Sequence, residues 1–205
     1  MYLASFFGGL LLLVVSLVTQ FYVSGYTDTV SSSPVTDIIL SNIRTYNVGG
    51  IFVYGSFLLL FFSLVVVLPK SQYAPFAMKS VALFTLIRSL FVILTHISIF
   101  PTRIVIESAM FSGAIWNGIF SGNDLFFSGH TGLPFLLALM FWHNKNIRAI
   151  FLGFSITFAV VVLLGHIHYS IDVLAAYFIT YSIFQICKYL FKREWEIFSR
   201  ELSTS

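Results

Sequence analysis

The first charged residue of this chain is Asp28, and residues 45–69 carry no charge either. About 20 consecutive apolar residues suffice for a helix to cross the hydrocarbon of a bilayer. Uncharged runs of this length leave few folds open. Only 9% of the 205 residues are charged and 58% are hydrophobic, whereas a soluble domain carries about 25% charged residues. A soluble globule is excluded. The 24 Phe, 10 Tyr and 3 Trp exclude a disordered chain. One cysteine, Cys187, excludes an intramolecular disulfide framework and a cysteine-cluster metal site. The formal net charge is only +3 and the basic residues are scattered or terminal, so no nucleic-acid partner is expected.

Six spans are predicted, at about 3–23, 48–68, 80–100, 128–142, 149–166 and 171–190. The first reads as a span rather than a cleaved leader, because no basic region precedes it. The stretch 103–120 is apolar but broken by Glu107, Gly113, Asn117 and Gly118, and reads as a re-entrant or interfacial segment. The fold class is therefore all-α, a six-helix transmembrane bundle over residues 1–191, with a cytoplasmic tail at 192–205 that forms a short helix leaving the membrane. With six spans, one side holds Lys70, Lys79, Lys145, Arg148, Lys188, Lys192, Arg193 and Arg200. The other holds Arg44 and Arg103. The bias places both termini in the cytoplasm.

Ionisable groups at membrane depth are costly and mark function by default. His130, His166, His168 and Asp172 fall near the outward ends of spans four to six, and Arg88 lies inside span three. Ser128-Gly129-His130-Thr131 opens an apolar helix, where first-turn N–H groups and the helix dipole favour an anion. His168 and Asp172 stand at i and i+4 and share a helix face. A carboxylate on one imidazole nitrogen fixes the tautomer and leaves the other as nucleophile or base.

Together these segments resemble the phosphatidic acid phosphatase type 2 (PAP2) superfamily, and within it the sphingomyelin synthase branch. The superfamily elements are Ser128-Gly129-His130 and the His168/Asp172 pair. The branch likeness extends over Asp124 to Thr131, over His166-Ile167-His168-Tyr169-Ser170-Ile171-Asp172-Val173, and to Pro34-Val35-Thr36-Asp37 and Arg88 with Thr95. Three features depart from the phosphatase branches. Lys79 and Arg88 are too far apart for their Lys-Arg element and no Pro follows, the upstream arginine position is Val162, and Phe127 replaces a common Pro. The usual three-cation phosphate cage is thus missing. One arginine with helix-end N–H groups suits a singly charged phosphodiester better than a near-dianionic monoester.

The resemblance implies a PAP2-like bundle that transfers a phospho-headgroup from a phospholipid donor to a lipid alcohol acceptor. His168 would be the nucleophile, Asp172 its orienting partner and His130 the general acid and base. Arg88, Ser128 and Gly129 would hold phosphoryl oxygens, and Asp124, Asp37 and His166 would shape the headgroup pocket. The site would face the periplasmic or exoplasmic side. No cofactor or metal is required, although a zinc site from His166, His168 and Asp172 would use the same side chains. A lipid phosphate phosphatase or phospholipase C-like hydrolase, a transporter, and a non-catalytic lipid-binding protein are the alternatives. The sequence leaves the oligomeric state open.

Overall fold

The computed structural model describes residues 2–30, 33–106 and 125–203. Among these, seven α-helices and one 3₁₀ turn form the molecule: α1 (Tyr2–Val30), α2 (Gly49–Val67), the turn Ser71–Tyr73, α3 (Ala74–Leu94), α4 (Gly129–Met140), α5 (Lys145–Leu164), α6 (Ser170–Leu190) and α7 (Lys192–Ser203). The described residues contain no strand.

Five helices are long and apolar enough to span a bilayer: α1, α2, α3 with its preceding turn, α5 and α6. Several such helices make this an integral membrane protein. The fourth predicted span is helical but shorter. At 12 residues, α4 rises only about 18 Å, against a hydrocarbon thickness of about 30 Å. Against the six spans expected, the described residues hold five helices of spanning length and this shorter apolar one. The third span is displaced from its predicted position. Pro75 stands in the first turn of α3, where its missing N–H costs nothing. The apolar stretch from Thr95 to Phe100 leaves the helix, with Thr95 extended at φ −123° and ψ 112°.

The bundle has two chemically distinct ends. At one, the Lys79 ammonium lies 2.5 Å from the Glu194 carboxylate and donates to Ser5, joining α3, α7 and the start of α1. The expected tail helix is present as α7, but it folds back instead of leaving. Phe198 is fully buried among Tyr73, Phe76, Phe141 and Trp195. At the other end, the N-termini of α4 and α6 meet the C-termini of α3 and α5. The Ser128 N–H donates to the Asp172 carbonyl at 3.0 Å, and Thr95 Oγ1 donates to the Leu125 carbonyl at 3.4 Å. Between the ends lies a core rich in phenylalanine, with Phe127, Phe151 and Phe158 buried.

The helices approach closely where small residues allow it. A Cβ on Gly132 would stand 2.7 Å from Thr180 Oγ1 and 3.0 Å from the Phe84 ring. That contact packs α4 against α6 and α3, so the N-terminus of α4 is held between the two helices that carry Arg88 and Asp172.

Candidate active site

The short loop between α5 and α6 carries most of the site. The Gly165 N–H closes α5 onto the Val161 carbonyl, and the N–H groups of Ile167 and His168 both return to the Val162 carbonyl, at 2.8 and 3.4 Å. His166 turns the chain at φ 52°. The turn brings His168 into line with the first turn of α6. His168 Nδ1 then lies 3.1 Å from Asp172 Oδ2. The same oxygen accepts the Tyr169 N–H at 3.2 Å and so caps the helix. Both side chains are buried, Asp172 completely. An ionised carboxylate only accepts, so Nδ1 carries the proton and the Nε2 lone pair is left for chemistry. Asp172 Oδ1 is buried without a partner among the described residues.

Facing this pair is the N-terminus of α4. Ser128 is its cap, accepting the Thr131 N–H at 3.4 Å. Ser128's own N–H is taken by the Asp172 carbonyl, which removes it from the set of N–H groups expected to be open to an anion. Gly129 and His130 follow that cap as the first two residues of α4. Arg88 Nε donates to the Phe127 carbonyl at 3.2 Å. A Cβ on Gly129 would stand 3.1 Å from that Nε, so the glycine is what lets the guanidinium lie against the turn. Arg88 is buried, at 8% exposure. It sits six residues inside the end of α3, about 9 Å along the axis, so the site is recessed into the bundle.

The turn before α4 is strained. Phe126 and Phe127 have φ of 107° and 23°, conformations that cost about 1–3 kcal/mol each for a bulky residue and persist where surroundings fix them. Here the Phe127 carbonyl is held by Arg88. His130 is half-buried, its ring centroid 4.2 Å from that of Phe52 on α2 and 5.7 Å from that of Phe158 on α5.

The other expected pocket residues have different places. Asp37 is buried and both its oxygens are used: Oδ1 accepts the N–H groups of Ile39 and Leu40 at 2.9 and 3.0 Å, and Oδ2 accepts the Ser170 N–H at 2.6 Å. Burial raises its pKa, but hydrogen bonds from Leu40, Ser170 and Ile39 outweigh this and hold it below the ordinary carboxylate value. His166 Nδ1 faces the hydroxyls of Thr102 at 2.6 Å and Thr45 at 3.1 Å, with Phe100 edge-on to the ring. Its Nε2 is buried without a partner among the described residues. Burial pushes its pKa below the usual imidazole range, against a smaller opposing effect of the Asp37 charge. No group of three His, Cys, Asp or Glu side chains suited to a metal ion occurs among the described residues. Asp124, and 107–120 of the segment expected to be re-entrant, lie outside the described residues.

Some functional geometry has no sequence signal. Thr45, Thr102 and Phe52 sit in no motif, and Tyr169 is visible only inside one. The Tyr169 hydroxyl donates to the Ser98 carbonyl at 2.8 Å and accepts the Val35 N–H at 3.2 Å. Burial, with the charges of Asp172 and Asp37, pushes its pKa up against the effect of that N–H, so it stays a donor. Val162 is buried in the core, and its side chain supplies no cation.

Residues 121–189, about a third of the chain, match the family model described as PAP2 superfamily C-terminal. The match spans Ser128, Gly129, His130, His168 and Asp172. It supports the PAP2 superfamily and, with it, phosphatase- or phosphotransferase-type chemistry on a lipid-related substrate. No curated protein and no solved structure matches the chain.

Proposed function

We propose that this protein is a lipid phosphotransferase of the sphingomyelin synthase type. It would move a phospho-headgroup from a phospholipid to a lipid alcohol such as ceramide or diacylglycerol, through a phosphohistidine. The observation that carries the proposal is the buried His168–Asp172 pair at 3.1 Å, set against the N-terminus of α4 and Arg88.

The first step forms a bond from His168 Nε2 to phosphorus and breaks the bond from phosphorus to the donor's lipid oxygen. His130, protonated, gives its proton to that leaving oxygen. The His168 ring becomes cationic, and Asp172 compensates that charge through the Nδ1 proton. In the second step His130 takes the proton of the acceptor hydroxyl. The acceptor oxygen bonds to phosphorus, the N–P bond breaks, and the electron pair returns to Nε2. The headgroup stays on phosphorus throughout. Arg88 and the first-turn N–H groups of α4 would hold the non-bridging oxygens, where their orientation costs no reorganisation as charge develops.

The Lys/Arg bias favours a site facing the periplasmic or exoplasmic side. The test is to incubate the purified protein with headgroup-labelled phospholipids, with and without ceramide or diacylglycerol, and identify the products. Label on the acceptor lipid is expected. Release of free phosphate or free phospho-headgroup regardless of acceptor would replace the proposal with the hydrolase reading, which the family match accommodates equally.

A further inference from the structure

We infer that Asp37 is a positioning residue: from the loop after α1 it takes the N–H that opens α6, and so reserves the Asp172 carboxylate for His168. The inference rests on the phosphohistidine reading above. The first N–H groups of a helix have no acceptor within it. On α6 the Tyr169 N–H goes to Asp172 Oδ2, and that of Ser170 leaves the helix for Asp37 Oδ2 at 2.6 Å, across 133 positions of sequence.

Asp37 is held for this task. Its Oδ1 is fixed by Ile39 and Leu40, and only 7% of the residue is exposed. The loop that carries it is strapped to the same turn at three further points. The Val35 N–H reaches the Tyr169 hydroxyl, Thr45 Oγ1 meets His166 Nδ1, and the Tyr46 N–H donates to the Leu164 carbonyl at 2.9 Å. Without Asp37 the Ser170 N–H loses its acceptor. The acidic residue of that first turn is Asp172, whose Oδ1 has no partner among the described residues. A carboxylate drawn toward Ser170 no longer lies along His168 Nδ1, and the imidazole loses the contact that fixes its tautomer. Asp37 thus acts on the reaction through Asp172 and touches no reacting atom.

The test uses the full chain in one detergent, with Asp37→Ala, Ser170→Pro and the double variant. Proline at 170 deletes the N–H itself. It stands at the first helical position, where proline is favoured, and Tyr169 at φ −68° and ψ 156° already has the backbone that a residue before proline requires. Two readouts are taken: kcat and KM for the best lipid donor, and the ¹⁵N shifts of the His168 ring.

Asp37→Ala should lower kcat by about 10²-fold, the scale of a misplacement of about 1 Å, with KM little changed. The ring signals should pass from one tautomer to a mixture. The double variant should regain most of the kcat of Ser170→Pro alone, together with its single tautomer, because no orphan donor remains. If Asp37→Ala does not fold, Asp37→Ser with and without Ser170→Pro makes the same comparison, because its one hydroxyl can accept from Ile39 or Leu40 in place of Oδ1 and leaves Ser170 without Oδ2. A rise in KM at constant kcat would show that Asp37 binds the headgroup and would overturn the inference. So would undisturbed ring signals in Asp37→Ala, or a double variant as slow as Asp37→Ala. If the wild type turns over no lipid, the transferase reading fails by itself, and the tautomer comparison still decides the role of Asp37.

Discussion

Replacing Asp172 by asparagine changes one atom's chemistry in a place that water cannot reach. The residue is fully buried, and one oxygen serves both His168 Nδ1 and the Tyr169 N–H. In Asp172→Asn the amide oxygen can still accept from both the Tyr169 N–H and His168 Nδ1, so the helix cap and the ring tautomer survive. The negative charge does not, and the ring that becomes cationic in the first step of the proposed reaction is left uncompensated in a buried site. Stability should fall only by the difference between a charged and a neutral hydrogen bond, about 1–2 kcal/mol. The rate should fall far more. A buried cation left without its partner costs about 3–5 kcal/mol, or on the order of 10²–10⁴-fold in rate. The assay is the single-turnover rate of headgroup loss from a labelled donor, alongside the thermal midpoint in the same detergent. A folded Asp172→Asn protein within tenfold of wild type would refute the charge-compensation argument.

Three further outcomes are expected. A phosphodiester donor such as phosphatidylcholine or phosphatidylethanolamine should show higher kcat/KM than phosphatidic acid, because position 162 offers a buried valine where a second cation would stand; a clear preference for phosphatidic acid would put the phosphatase reading first. In a Cys187→Ala background, a membrane-impermeant thiol reagent added to intact cells should label Ser41→Cys and not Asn146→Cys, and the opposite pattern would invert the topology. Acid should loosen the loops that carry Asp37 and His166. Burial holds the folded pKa of His166, and hydrogen bonds that of Asp37, below the group's ordinary value, 6.5 and 3.8 respectively. Each contribution is therefore fully present above that value and is lost as pH falls through the depressed folded one. His166→Gln should remove the upper of the two steps in a plot of thermal midpoint against pH, and an unchanged plot would deny His166 that role.

Much of this organisation is legible in the sequence, for identifiable reasons. The bounds of α2 and α6 fall within a residue of the spans predicted at 48–68 and 171–190, because hydropathy changes sharply there. The i,i+4 spacing of His168 and Asp172 survives folding because Asp172 lies in the first turn of α6. The third span is displaced because hydropathy does not distinguish a spanning helix from the apolar, non-helical stretch after Thr95. The length of α4 is hidden for the same kind of reason: Phe141 and Trp142 continue the apolar run, yet the helix ends at Met140. The tail's charges suggest a helix leaving the bundle, while Trp195, Phe198 and Leu202 dock it. Asp37 resembled a headgroup ligand as part of a local motif. Its partner at Ser170 is 133 residues away, and no local pattern announces such a bond.

In the proposed reaction His168 carries the phosphoryl group between donor and acceptor. The most direct measurement is to mix the protein with a headgroup-labelled donor without acceptor, quench within one turnover under alkaline conditions, and sequence the labelled peptide by mass spectrometry. The account predicts an acid-labile, base-stable adduct on His168 that retains the headgroup, is absent from His168→Ala, and disappears when a lipid alcohol is added. An enzyme that turns over at full rate with no such adduct, or with the label on another residue, would contradict it.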